Sequence, residues 1–189
     1  MPTGYQIKDQ AAIYYLTFQV VEWIDVFTRQ RYRDIVVDSL NYCIKEKNLH
    51  VFAYVIMSNH IHTIMRAGNE NLSDVIRDFK RHTSVKIIES IKDEPESRRH
   101  WMMKLFSYAA KNHIRNKQYQ FWTHENHAIN LYSPKFIKEK LSYIHNNPVR
   151  AGLVSKPEDY LYSSARDYAD EKGMVEAIVI SHAMLGIDN

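Results

Sequence analysis

Residues Val51 to Arg66 read VFAYVIMSNHIHTIMR, and the way this stretch pairs with itself decides the architecture. Val51 to Met57 is an apolar run rich in β-branched and aromatic side chains, the mark of a buried strand. Ser58-Asn59 is a turn pair, and His60 to Arg66 reads as a second strand, so the segment predicts a β-hairpin. Upstream, Ala12 to Val21 (AIYYLTFQVV) predicts another strand. Between them, Ile35, Val36, Leu40, Cys43 and Ile44 recur at helical spacing within Arg29 to Lys47. Downstream, Leu72, Ile76, Phe79, Thr83, Ile87 and Ile91 share one face of a longer helix, which Ser73 or Asn71 can cap. Pro95 breaks that pattern.

Phe121 to Leu131 (FWTHENHAINL) supplies a further predicted strand. Ser133-Pro134 is a cap and first-turn pair for a helix running to about Asn147, where Pro148 is expected to stop it. Tyr160 to Tyr168 suggests a last helical stretch. The order strand, helix, strand, strand, helix, strand is the split βαβ arrangement of ferredoxin-like α+β folds. Its antiparallel sheet carries helices on one face and leaves the other open for a site, with the C-terminal helix added. The expected organisation is one domain over residues 1–168 and an appended segment over 169–189.

Composition narrows the function class. At 45% hydrophobic and 25% charged residues, the chain is globular rather than disordered. No apolar run approaches the roughly 18 residues of a spanning helix. The first ten residues lack the order of a signal peptide, and Cys43 is the only cysteine, which together point to the cytoplasm. The net charge of +3 says less than its distribution. From Ser97 to His124 there is no Asp or Glu, while Arg98, Arg99, Lys104, Lys111, Arg115 and Lys117 alternate with Trp101, Phe106, Tyr108, Tyr119, Phe121 and Trp122. Cations for phosphates beside rings for bases suit single-stranded nucleic acid. A solvated basic loop beside core aromatics explains the same composition.

His60 and His62 lie two apart on a strand, so both imidazoles point to one face and can share a metal ion. Tyr143 sits at the edge of the stripe formed by Phe136, Ile137, Leu141 and Ile144, with Asn147 one turn later on the same face. Exposed strand histidines and an edge-of-core tyrosine are the plain alternatives.

The run Val55 to Met65, VIMSNHIHTIM, resembles the histidine–apolar–histidine strand of the single-tyrosine HUH transposases of the insertion-sequence type. About eighty residues on, Tyr143 to Val154, YIHNNPVRAGLV, followed by Tyr162-Ser-Ser-Ala-Arg166, is similar to the C-terminal half of the REP-associated tyrosine transposases within that group. The resemblance covers roughly Ile13 to Tyr168. It implies His60 and His62 as metal ligands, Tyr143 as nucleophile and Asn147 as third ligand. Insertion-sequence relatives usually have Gln at that last position, and Asn is one methylene shorter; His145 and Asn146 are the neighbours that can replace it. The implied cofactor is one divalent ion, Mg or Mn, although two imidazoles and an amide do not select Mg. The implied reaction nicks and rejoins single-stranded DNA through a 5′-phosphotyrosine, at sites marked by hairpins.

Phosphodiester cleavage puts negative charge on the phosphoryl oxygens and the departing 3′ oxygen, which a divalent cation stabilises. A covalent link conserves the bond energy for rejoining. Candidate DNA contacts are Arg77, Lys80 and Arg81 on the long helix, with Lys86 beside them, together with Arg98, Arg99, Arg115 and Arg150. Two rivals stand beside this reading. One is a catalytically silent DNA-hairpin-binding protein of the same fold. The other is a water-activating metal phosphoesterase, which needs an acidic or histidine cluster the sequence does not offer. Whether the protein acts as a monomer or a homodimer stays open; no membrane partner is expected.

Overall fold

A computed structural model describes residues 6–93, 95–111 and 118–181. Its elements are β1 (Tyr14–Gln19), α1 (Gln30–Lys47), β2 (Leu49–Ile56), β3 (His60–Ala67), α2 (Leu72–Asp93), α3 (Arg99–Lys111), β4 (Ile129–Asn130) and α4 (Pro134–Arg150), with short 3-10 turns between. The four strands form one antiparallel sheet in the order β2-β3-β1-β4. This is the ferredoxin-like α+β topology that the hairpin and the flanking helices predict.

The hairpin closes as its sequence requires. Met57 N–H donates to the His60 carbonyl at 2.9 Å, leaving Ser58-Asn59 as the turn. Alternation along β1 and β3 then sorts the side chains. Leu16, Phe18, Ile61 and Met65 face α1 and α2, where they join the larger core with Leu40, Phe79 and Ile87. Tyr15 and Ile64 face the opposite way, where Ile144 of α4 closes a smaller core with Ala53 and Val55.

Several expectations need correction. Pro148 does not stop α4, which runs on to Arg150. A proline in the last turn forfeits only its own bond to the preceding turn. The helix ends instead at a Schellman arrangement, with Gly152 at φ 70° donating to Val149 O and Leu153 donating to Pro148 O, both at 2.9 Å. Phe121 to Leu131 is not a continuous strand: only Ile129–Asn130 pairs regularly with β1, and Val20–Trp122 is an isolated bridge. The basic aromatic stretch holds a helix, α3, whose buried Met102, Phe106, Ala109 and Ala110 have helical spacing. At α2 neither Ser73 nor Asn71 caps through its side chain; Gln10 Oε1 accepts the Ser73 N–H at 2.8 Å.

The stretch from Tyr160 to Tyr168 is likewise not a helix over its length. It lies along the outer edge of β2, with Ile56 N–H donating to Tyr162 O and Ser164 N–H donating to Tyr54 O, each at 3.0 Å. An exposed strand edge invites mispairing, and this segment covers it. The following residues continue the cover, with Ile178 N–H donating to Val51 O at 2.8 Å and Val175 buried in the larger core.

Ser164 also joins the edge segment to α4. Its hydroxyl accepts the Tyr54 N–H at 3.0 Å and lies 2.9 Å from His145 Nε2, and the His145 ring meets Tyr168 edge to face. Burial pushes His145 down to about 4, well below an ordinary histidine. Unfolded chain therefore takes up this proton first as pH falls, so the stability from neutral His145 is full above about pH 6.5 and is lost toward pH 4. We expect Ser164→Ala to cost about 1–3 kcal/mol in denaturant unfolding. The stability advantage of the wild type over His145→Gln should shrink by about 2–3 kcal/mol between neutral pH and about pH 4; an advantage that does not change with pH would contradict this role.

Candidate active site

His60 and His62 reach the face opposite α1 and α2 because of the hairpin register. Across β1, His60 is opposite Gln19 and His62 is opposite Thr17, so Tyr15, Thr17 and Gln19 form a polar row beside the two imidazoles. The imidazole centroids are 4.6 Å apart, edge to face. His62 Nδ1 lies 2.8 Å from the Tyr15 hydroxyl and 2.9 Å from the Thr17 hydroxyl. His60 Nδ1 donates to Asn59 Oδ1 at 2.6 Å. Each ring is thus held through Nδ1, and Nε2 is left to face a cation, which is how a second hydrogen bond orients a metal-ligating imidazole.

Burial favours the neutral form of both rings. It pushes His62 down to about 3, with the charges of His60 and Lys140 acting in the same direction. His60 is lowered by burial as well. Neutral imidazole is the form that offers a lone pair to a metal.

Tyr143 arrives from the other side of the cleft. Ile144 is wholly buried, and Phe136, Ile137 and Leu141 pack half-buried on the same small core, which fixes α4 across the sheet. Tyr143 stands at the margin of that stripe, 37% exposed, with its ring 5.3 Å from the His62 ring and 6.3 Å from the Tyr15 ring. Two cations flank it: the Arg150 guanidinium at 5.0 Å and the Lys140 ammonium at 5.9 Å from the ring centre. Tyr15 differs in kind. It is 6% exposed, and burial pushes its phenol up to about 12, against the Thr17 hydrogen bond and with help from Tyr143. Tyr15 is placed to hold His62, whereas Tyr143 opens into the cleft.

His60, His62 and Tyr143 line one cleft of 730 Å³, together with Glu125 and Trp23. Its loop wall is tied down by Lys80, whose ammonium donates to Thr123 O and Asn126 Oδ1, both at 2.7 Å. Among the described residues no group of three or more His, Cys, Asp or Glu side chains is arranged to hold a metal. A cation bound here therefore needs a donor of another type beside the imidazoles. Asn147, the ligand the sequence suggests, carries an amide of that type, although it is not among the residues that line the cleft. It is half-buried one turn beyond Tyr143, and its Nδ2 is buried with no hydrogen-bond partner among the described residues. Turning the amide end for end would present Oδ1 at that place. Its neighbours are committed elsewhere: His145 to Ser164, and Asn146 Nδ2 to the Ser142 carbonyl at 2.9 Å.

The cations singled out in the sequence divide into groups. Lys80 is half-buried, the loss of hydration lowers it to about 8, and it serves the cleft loop rather than solvent. Arg98 pairs with Glu96 at 3.2 Å and Asp25 at 3.1 Å. Burial raises the Glu96 carboxyl, but hydrogen bonds from Arg98 and Arg29 outweigh it and hold Glu96 at about 2. Arg99 Nε donates to Ile91 O at 2.8 Å, tying α3 to α2. Arg77 pairs with Asp74 and Asp78 on an exposed face. Arg81 is exposed and has no ion pair among the described residues, and Arg150 stands beside the Tyr143 ring. Arg115 lies outside the described residues. Sequence reading missed Tyr15, Thr17 and Lys140. The first two were signalled by the polar alternation Tyr15, Thr17, Gln19 against the apolar Leu16, Phe18 and Val20.

Residues 11–147 match the family described as transposase, IS200-like. Among solved structures, the chain is similar to a REP-associated tyrosine transposase bound to a REP hairpin, at a TM-score of 0.62 and 15% identity over 95% of this chain and 93% of that one. At such identity the likeness speaks for the fold. No curated protein matches the chain. No helix among the described residues is long and apolar enough to cross a membrane.

The geometry makes a prediction about metal. Titration with Mn²⁺ should show one site, lost in His62→Ala and weakened about 10-fold or more in the double variant Tyr15→Phe with Thr17→Val, which frees the His62 ring without removing a ligand. Because burial already keeps His62 neutral, affinity should fall little between about pH 8 and pH 6, where an ordinary histidine pair begins to protonate. Unchanged affinity in the double variant would show that the hydroxyls do not orient the ligand.

Proposed function

The chain belongs to the IS200-like transposase family, and we propose that it nicks and rejoins single-stranded DNA through a covalent bond to Tyr143, with one divalent ion, Mg or Mn, held by His60, His62 and Asn147. The observation that carries this reading is the meeting of His62 and Tyr143, from two separate elements, with ring centres 5.3 Å apart in one cleft. A bound divalent ion supplies positive charge for the phosphoryl oxygens and the departing oxygen.

The protein's own groups do the rest. Tyr143 Oη attacks the scissile phosphorus as the bond to the 3′ oxygen breaks. The phenol proton is released, the 3′ oxygen gains a proton, and the 5′ phosphate stays on the tyrosine. In rejoining, a 3′-OH attacks that phosphorus and Tyr143 leaves. Lys140 and Arg150 bring two cations beside the Tyr143 ring, and their charge favours a phosphate drawn toward its hydroxyl. Tyr15 and Thr17 keep His62 in one orientation, and Asn59 does the same for His60. The meeting of phenol and imidazole within one chain supports a site that a single copy can complete. The expected substrate is a single strand marked by a DNA hairpin, the kind of ligand held by the similar solved transposase.

Incubating the protein with a hairpin oligonucleotide carrying single-stranded flanks, plus Mg²⁺ or Mn²⁺, should give a protein–DNA adduct that survives denaturation. Tyr143→Phe should abolish it, and His60→Ala should reduce it about 100-fold. Cleavage that persists in Tyr143→Phe would point to water as nucleophile. Hairpin binding without any adduct would point to a silent binding protein.

A further inference from the structure

Trp23 lines this cleft and has no part in the proposed chemistry. It is 68% exposed, although tryptophan is highly buried on average. Its indole has neither a ring contact nor a hydrogen-bond partner among the described residues. Its backbone is unusual as well: Glu22 and Trp23 both sit in the left-handed region, at φ 53° and 54°, which bulky residues rarely adopt.

The segment is nonetheless held firmly. Val21 N–H donates to Phe121 O at 2.9 Å, Val20 N–H to Asn59 O at 3.0 Å, and Phe27 N–H to Ser58 O at 2.9 Å. Asn59 Nδ2 donates to Trp23 O at 3.2 Å, while Asn59 Oδ1 accepts from His60. One amide therefore locks the backbone of an exposed indole to a metal-facing imidazole in the same cleft. Held in place and left bare at the mouth, the ring is a ready-made flat surface.

We propose that Trp23 is a base-stacking platform for an unpaired nucleotide adjoining the scissile phosphate. This rests on the reading of the cleft as a single-strand DNA site. Every base has a π face, so a lone indole accepts any of them, and unpaired bases are the ones free to stack. Charge favours a base over a phosphate here: the carboxylate-bearing residues of the cleft, Glu22 and Glu125, repel phosphate, whereas Lys140 and Arg150 attract it at Tyr143. The cleft thus has a phosphate end at the phenol and a base end at the indole.

The test measures binding without cleavage. In a Tyr143→Phe background with Mn²⁺, fluorescence anisotropy reports affinity for a hairpin oligonucleotide with a single-stranded flank. Adding Trp23→Ala should weaken binding about 10-fold, and Trp23→Phe should keep most of it. Abasic residues placed one at a time along the flank alter no protein atom. One position should weaken binding to the Tyr143→Phe protein by a similar factor and add nothing in the Trp23→Ala protein. Equal affinity with and without Trp23, or abasic losses that simply multiply with the Trp23→Ala loss, would overturn the proposal. So would a change confined to self-association, which would make the ring a contact between copies. If wild type forms no adduct while the Trp23 pattern holds, only the cutting reaction falls. If the adduct forms and Trp23→Ala binds normally, only the platform falls.

Discussion

Everything at this site depends on the register of β3, and the tight turn at Ser58-Asn59 sets it. With His60 opposite Gln19 and His62 opposite Thr17, the imidazoles share a face with Tyr15. A slip of one residue would turn both rings into the core beneath α1 and α2 and bring Ile61 out. The larger core resists that slip, because Ile61 and Met65 are already packed there beside Leu16 and Phe18. Apolar packing on one side of the sheet thus enforces a polar arrangement on the other.

That polar side must still bury two imidazoles without stranding them. Each has a hydrogen-bonding group on Nδ1, and each is driven toward its neutral form by burial, so the folded state carries no unpaired charge there. The second requirement is to bring a phenol within reach. Ile144 does this from inside α4, by filling the small core made by Ala53, Val55 and Ile64, and the Ser164–His145 contact fixes the far side of the same helix. Tyr143 needs no contact deeper than its own ring edge, which is why it can be partly open while its neighbour Ile144 is sealed.

The features legible in the sequence share a short-range cause. Strand alternation, helical stripes and the Ser133-Pro134 cap are written within a few residues, and β1, α1, the hairpin, α2 and α4 all follow from them. Where reading failed, longer-range contacts decide. Tyr160 to Tyr168 has the composition of a helix, yet it is drawn out along β2, whose free edge supplies partners that the local sequence cannot announce. Pro148 reads as a helix stop, but the end is set by Gly152, four residues on. In α3 the helical stripe of Met102, Phe106 and Ala109 was masked by the aromatic and basic residues between them. At the site, the two histidines and Tyr143 could be picked out by spacing and resemblance. For Tyr15 and Thr17 the alternation along β1 gives only the face they share, because their role depends on the pairing of β1 with β3, some forty-five residues apart in the chain.

The basic residues show why charge counts mislead when read from composition. Arg98 and Lys80 look like phosphate contacts, yet one neutralises the buried carboxylate of Glu96 and the other pins the loop that walls the cleft. Both act on DNA, in the proposed reaction, only through the shape they give the site. The cations beside the Tyr143 ring, Lys140 and Arg150, come instead from α4, where neither was picked out by a run of basic and aromatic residues. Placing them on the helix that carries Tyr143 has a physical consequence. Any tilt of α4 moves phenol and cations together, so their mutual geometry is conserved even if the helix shifts over the sheet. The distance that such a shift would change is the one from Tyr143 to His62, and that distance is the one the apolar contacts of Ile144 hold.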